Sequence, residues 1–441
     1  MTPNPTIMQA VEKLGYRVTV GDVSSQGGLS VAEAGQGLLA LASDAGGHLQ
    51  VAETGDIVYL FPRNFREILR NKYFQMRLQE WWKKVWAVLF YLIRISFGIF
   101  LILSIVLITV TIIIIVNAGS SDRNDNDRDR SSGGGGLFFF PFPDLFWYFS
   151  PNYSTRSQQR QYQRQQGSNL NFFEAVFSFL FGDGNPNANL EQRRWQEIGT
   201  VIGNNHGAVV AEQIAPYLDD LGETYTREYE DYMLPVLTRF NGQPEVSPEG
   251  QIVYYFPELQ VKAAKTSTEL VPTHLEEYPW RFSAAGSGQI ILAAGLGVLN
   301  FVAALILGGL IADGTAAAQL GGLVAFVEGI YWLLLGYGAG FLGIPLVRYF
   351  WIQWRNKKIA ARNRDRLYQA QLLANPEETL QRKINYAQQF ATEKVIGSED
   401  LVYSTETDLI DQELEGMARP SNLSAQMEAE WQRRLQQGRE E

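Results

Sequence analysis

Apolar positions recur along this chain in three rhythms, and each predicts a different kind of element. Near the N-terminus Ile7, Met8, Val11 and Leu14 fall at helical spacing, and Arg17–Val20 alternates like a short strand. Val31, Ala34, Leu38, Leu39 and Leu41 make a second helical stripe, with Ser30 in the position of an N-cap. The run HLQVAETGDIVYLFP reads as two strands about a glycine-containing turn. Helix, strand, helices and hairpin is the order of a winged helix, so residues 1–62 are expected to form a small winged-helix-like domain.

The second rhythm is an unbroken apolar run. Residues 63–84 lead into it as a basic amphipathic juxtamembrane helix. Arg63, Arg66, Arg70, Lys72, Arg77, Lys83 and Lys84 face only Glu67 and Glu80, interleaved with Tyr73, Phe74, Trp81 and Trp82. That mixture suits a helix lying on an anionic membrane surface, so these seven cations are the candidate lipid contacts. Residues 85–117 are read as a transmembrane or re-entrant segment. Ile95–Val116 contains 22 uncharged residues, against the roughly 20 needed to cross a bilayer. Residues 118–189 are expected to be a flexible linker with aromatic interfacial segments. It opens on SSDRNDNDRDRSSGGGG, and LFFFPFPDLFWYFS (137–150) and NFFEAVFSFLFG (171–182) are the aromatic stretches.

Further on, 24 uncharged residues at 289–312 and a second apolar stretch at 321–347 predict a transmembrane helical hairpin over 289–347, after a connector at 263–288. The sets Ala293/Gly297, Ala304/Gly308 and Gly336/Gly340 repeat small residues four apart, the spacing of close helix packing. Glu328 interrupts the second stretch. A carboxylate inside a membrane is a functional candidate, and Asn300 in the preceding span is its expected partner. Residues 348–441 are expected to be a polar, helical C-terminal region and tail, broken at Asn375-Pro376.

The third rhythm is a repeat. GHLQVAETGDIVYLFP (47–62) aligns without gaps to GQPEVSPEGQIVYYFP (242–257), with eight of sixteen positions identical, and IMQAVEKLGYRVTV (7–20) matches the pattern of IGTVIGNNHGAVVA (198–211). Residues 190–262 are therefore read as a second winged-helix-like copy. The fold class expected is an α+β membrane protein: two winged-helix-like soluble domains forming an internal repeat, transmembrane helices, and a helical C-terminal region.

Composition narrows the function. There is no cysteine, which removes disulfides, thiolate metal sites and cysteine nucleophiles. His48, His206 and His274 are far apart and show no metal-ligand spacing, so neither a metal nor any other cofactor is expected. Net charge is −10. Residues 1–61 hold two bases against six acids, and residues 190–262 hold five against twelve. Such surfaces repel phosphate, so nucleic acid is not the expected partner and protein docking is. Asp219, Asp220, Glu228, Glu230 and Asp231 come without an accompanying nucleophile or metal ligand and are read as a solvated acidic face. The polar N-terminus predicts no signal peptide. Basic residues concentrate before the first span and from Arg348 to Arg366 after the last, which predicts both termini on the cytoplasmic or stromal side and an even number of crossings.

The strings FFEAVFSFLFGDGNPN, LEQRRWQEIG, AVVAEQIAPYL and HLEEYPWRFS resemble a membrane-protein family shared by cyanobacteria and chloroplasts. Its plant members are often named "iron-sulfur cluster biosynthesis family protein". The resemblance spans most of the chain and implies a thylakoid or plasma membrane in a cyanobacterium, or a chloroplast membrane in plants. It carries no catalytic residues over. A chain without cysteine cannot hold a cluster on its own thiolates. The function expected is a non-enzymatic membrane scaffold or assembly factor in photosynthetic membranes. The alternatives are a membrane-tethered DNA-binding regulator and a small transporter component using Glu328.

Overall fold

The structure, a computed structural model, describes residues 3–72, 74–121, 170–219, 221, 229–265, 269–312 and 314–406. The segments 137–150 and 151–169, Asp220 and Glu228 of the acidic cluster, and the tail beyond 406 lie outside the described residues.

Local chemistry sets the first elements. Asn4 caps α1 (Pro5–Lys13) by accepting from the Thr6 amide, and Pro5 supplies a preset φ. Strand β1 (Arg17–Thr19) runs into α2 (Val20–Gly27), which Thr19 and Asp22 open as a capping box. Ser30 and Glu33 do the same for α3 (Val31–Ala45). Strands β2 (His48–Ala52) and β3 (Ile57–Leu60) form the expected hairpin. Next, α4 (Phe65–Lys72) buries Phe65 and Leu69 in the same core as Val11, Leu38 and Leu41. The first part of the basic stretch is therefore a core helix of the soluble body, because its two large apolar residues stand four apart on one face.

One continuous helix, α5 (Phe74–Ser121), covers all of 85–117, so the re-entrant alternative finds no turn. Its inward stripe is Leu101, Ser104, Ile105, Ile108, Thr111 and Ile112. Helix α6 (Phe172–Phe181) follows at the end of the expected linker. It buries Val176, Phe179 and Leu180 among Leu101, Leu296 and Phe341.

The region expected as a second copy runs α7 (Leu190–Asn204), β4 (Ala208–Val209), α8 (Ala211–Ile214), α9 (Leu234–Phe240), β5 (Gln243–Val246) and β6 (Ile252–Tyr255), then α10 (Pro257–Gln260) and β7 (Val261–Lys262). Its strand order, β4-β6-β5, matches β1-β3-β2. Val18 pairs Tyr59 as Val209 pairs Tyr254. The Phe61 amide donates to the Tyr16 carbonyl at 2.8 Å, and the Phe256 amide to that of Gly207 at the same distance. These pairs fall at aligned positions of the two sequence blocks.

Helix α11 (Ser287–Ile311) is followed by two short helices, α12 (Thr315–Leu320) and α13 (Gly322–Gly329), and by α14 (Tyr331–Ala374). Ser104 meets Asn300, while Ile108 and Ile112 share a core with Leu307, Ile311 and Leu334. Leu101 shares another with Ala293 and Phe341. Helices α5 and α11 thus run the same way and α14 runs against them. Two of the three small-residue sets are used: a Cβ on Gly297 would meet Phe341 at 2.5 Å and one on Gly308 the Tyr331 hydroxyl at 2.0 Å, whereas Gly336 and Gly340 have open space.

Finally, α15 (Glu378–Ala387) leads to β8 (Lys394–Val395) and β9 (Leu401–Ser404). β8 pairs β7 in parallel, and β9 adds a fourth strand beside β2. The expectation of a wholly helical C-terminal region is corrected here, since two- and four-residue strands exist only through the edges they pair with. By contacts the chain divides into two compact units. The first is Met1–Gln79, Asn187–Glu277 and Ala361–Glu441; the second is Glu80–Pro186 and Tyr278–Ala360.

Candidate functional site: a buried ionic hub

Within the first unit, arginines from distant parts of the chain converge on three acids. Arg194 is the fifth residue of α7 and Arg366 lies in the polar end of α14; they are 7 % and 3 % exposed. Both hold Asp219, and Arg194 also holds Glu191. Arg366 reaches Glu277 at 2.9 Å and the Leu275 carbonyl at 3.0 Å. Arg362 grips both oxygens of Glu277 at 2.7 and 2.6 Å, the forked geometry that suits guanidinium to carboxylate. Asn363 fixes the Glu277 backbone from both sides, accepting from its amide and donating to its carbonyl. Three cations and three anions balance, with Arg366 and Glu277 the buried pair at the centre.

Burial alone would raise the Glu277 carboxyl, but Arg362 and Arg366 outweigh it and hold it below its ordinary 4.5. Glu197 behaves oppositely: burial raises it, against the charges of Arg193 and Arg366. A second knot joins α15 to the second copy. Lys383, 5 % exposed, donates to Glu212 at 2.9 and 2.8 Å and to Glu230, which also accepts from the Tyr254 hydroxyl at 2.9 Å. The reading of a solvated acidic face is thus corrected for Glu230, whose side chain is 12 % exposed, while Asp219 stays exposed though ion-paired. Both answer cations that lie over 140 residues away in sequence.

Helices α2 and α7 pack closely. A Cβ on Gly199 would sit 2.8 Å from the Ser25 Cα, and one on Gly21 only 1.9 Å from the Glu258 carbonyl oxygen. Arg239 stacks over Trp195 at 4.6 Å and donates twice to the Gly28 carbonyl.

In the second unit, the Ser178 hydroxyl donates to Asp183 and lies 2.6 Å from that of Ser283. Asp183 also pairs with Arg94 at 3.0 Å and accepts from the Ala284 amide at 2.7 Å. The FGDG turn and the end of HLEEYPWRFS are joined here. Among the described residues no three His, Asp or Glu side chains converge as metal ligands.

The sequence-chosen residues are dispersed. Arg66 pairs with Glu12, and Lys72 with Asp44 at 2.7 Å. Arg63, Arg70, Lys83 and Lys84 are exposed, and the side chain of Arg77 lies outside the described residues. Asn300 is fully buried but accepts from Ser104 at 2.8 Å. Glu328 sits half-buried on α13, outside the long spans, so the expected Glu328–Asn300 partnership is corrected. Gly329 and Ile330 break the helix that hydropathy alone had read as continuous. The hub itself was missed: Arg194 lies in LEQRRWQEIG and Glu277 in HLEEYPWRFS, and those shared motifs were the available signal. Arg362 and Arg366 looked like topology-setting charge.

A mixed helix-and-strand body together with three helices long and apolar enough to cross a membrane, Trp81–Ala118, Ser287–Ile311 and Tyr331–Ala374, defines the class. The chain is 39 % identical over 421 residues to the Arabidopsis thaliana protein named "Uncharacterized protein At5g03900, chloroplastic", covering 92 % of this chain and 80 % of that one. The chain belongs to that protein's family. No family model matches it, and no solved structure does.

Proposed function

We propose that this protein is a non-enzymatic scaffold or assembly factor of a photosynthetic membrane. In this reading two acidic winged-helix-like copies dock partner proteins on the cytoplasmic or stromal face, and α5, α11 and α14 anchor them. The observation that carries it is the hub. The strongest polar interactions tie Asn187–Glu277 to the end of α14, and none of the hub arginines is left free for a substrate.

The helix that a winged helix offers to a partner is α3. Its exposed side includes Glu33, Gln36 and Leu39, and it carries Glu33 and Asp44 without a base. That surface favours protein over DNA, since phosphate recognition needs cations. Leu39, an exposed apolar residue amid polar ones, suits a small docking patch.

Site-specific photo-crosslinking of the full chain in its native membrane tests this. A photoreactive residue at Leu39 is expected to trap a discrete protein adduct that one at Thr54 does not, and Leu39→Lys is expected to abolish its co-purification. Absence of any protein adduct at Leu39, or an adduct to nucleic acid, rejects the reading.

A further inference from the structure

Along α14 the cations divide into two groups. Arg362 and Arg366 are satisfied by carboxylates. Arg355, Lys357 and Lys358, one to three turns earlier, are exposed and have no ion-pair partner among the described residues. Arg355 and Lys358 lie against aromatic rings instead. The Arg355 guanidinium lies 4.7 Å from the centre of the Trp280 ring and 5.1 Å from that of Trp351, and these two indoles meet edge to face at 5.4 Å. Lys358 stands 3.8 Å over Trp354. The platform is rigid, because Asn356 accepts from the Trp280 amide at 2.8 Å and donates to its carbonyl at 2.9 Å.

We propose that Arg355, clamped between Trp280 and Trp351, is a binding site for the anionic headgroup of a membrane lipid, a phosphate or sulfonate monoanion. Contact with the two rings holds the guanidinium in place, and no carboxylate among the described residues claims its N–H groups, which suit two-point recognition of a tetrahedral oxyanion. Position supports a lipid source. Arg355 lies seven residues beyond Arg348, about 10 Å along the helix. Exposed Trp82 and Trp86 lie eight to twelve residues before Arg94 on α5, and Trp351 and Trp354 are exposed on α14. Tryptophan flanking both apolar runs marks the headgroup layer. Lys357 and Lys358 add attraction for anionic lipid.

The inference rests on the reading that α14 crosses a membrane, so the test begins there. The full-length chain is reconstituted into phosphatidylcholine nanodiscs containing phosphatidylglycerol, and the lipids it retains are weighed by native mass spectrometry. A wild-type protein recovered soluble, outside the discs, rejects the membrane reading itself. If it incorporates, it is expected to retain phosphatidylglycerol in preference to phosphatidylcholine. Arg355→Gln should lower that preference about five-fold. Trp351→Leu, which keeps every charge, should lower it as well, and Arg355→Lys should restore only part. Loss of preference in Arg355→Gln but none in Trp351→Leu shows diffuse charge and overturns the proposal. So does an unchanged preference in Arg355→Gln, or abolition of the preference by millimolar inorganic phosphate. Addition of phosphatidylglycerol should raise the melting temperature of wild type and not of Arg355→Gln, which separates lost binding from simple destabilisation.

Discussion

Replacing Arg366 by methionine would remove one of the two cations that hold the buried Glu277 and one of the two that hold the exposed Asp219. Removing one partner of a buried pair costs about 3–5 kcal/mol, and because Arg362 still grips Glu277 the lower end is expected here. Arg382→Ala breaks only an exposed i,i+4 pair with Glu378 and should cost under about 0.5 kcal/mol. Thermal unfolding of the two variants in one detergent compares them directly. Glu277 adds a pH dependence. Its carboxyl is held below its ordinary 4.5 in the folded state, so its contribution is present above that value and disappears as pH falls through the folded value. The stability gap between wild type and Glu277→Gln should therefore be widest near neutrality and close in acid. A gap that stays constant from pH 7 to about 3 would mean that Glu277 acts by shape, not charge. None of this was readable from the sequence. Arg366 and Asp219 are 147 residues apart, and no periodicity links a helix-exit arginine to a loop aspartate.

Among the elements, those that announce themselves locally were legible. The Ser30 cap and the Gly55 turn are short-range devices, and the hairpin pattern occurs twice in the sequence; α2, which Thr19 and Asp22 open, was not foreseen. Nor were strands β8 and β9, because their few residues acquire strand geometry from β7 and β2. The two sheets then differ at one edge. In the first, the Leu49 amide donates to the Thr405 hydroxyl at 2.9 Å and its carbonyl accepts the Thr405 amide at 3.0 Å, just past β9. The residue aligned with Leu49 is Pro244, which has no amide hydrogen to give. With Glu245 beside it, the outer edge of β5 is guarded against a further strand. Pro244→Leu should unguard it and promote concentration-dependent self-association, measurable by light scattering; an unchanged mass would show that Glu245 suffices. The α2–α7 seam is tighter. Gly199→Leu must displace the Ser25 backbone, an overpacking that costs about 1–3 kcal/mol or more. Ala at the neighbouring Gly203, where a Cβ meets nothing, should cost almost nothing and serves as the control.

On the scale of the whole molecule, charge counting predicts both termini on one side and an even number of crossings. The first unit gathers residues from before α5, between α6 and α11, and after the apolar part of α14. A body assembled from three such segments needs all three in the same compartment, which the expected even number of crossings supplies. Gly98, near the start of the apolar run of α5, packs against Phe173 of α6, while α5 itself continues to Ser121, about 35 Å further on. Helices α11 and α14 run antiparallel, out and back. Hydropathy could not reveal this, because it scores each apolar run separately and does not record which soluble pieces share a core. The absence of cysteine makes the test direct. Single cysteines at Thr54, Glu249, Ser398 and Gln319, all exposed, can be labelled in sealed membranes with an impermeant maleimide. The first three should label from one side alike, and Gln319, on the α12 turn between α11 and α14, only after the membrane is opened or inverted. If position 249 labels with 319 instead of with 54 and 398, the two copies lie in different compartments and cannot share the α2–α7 seam or the arginine hub.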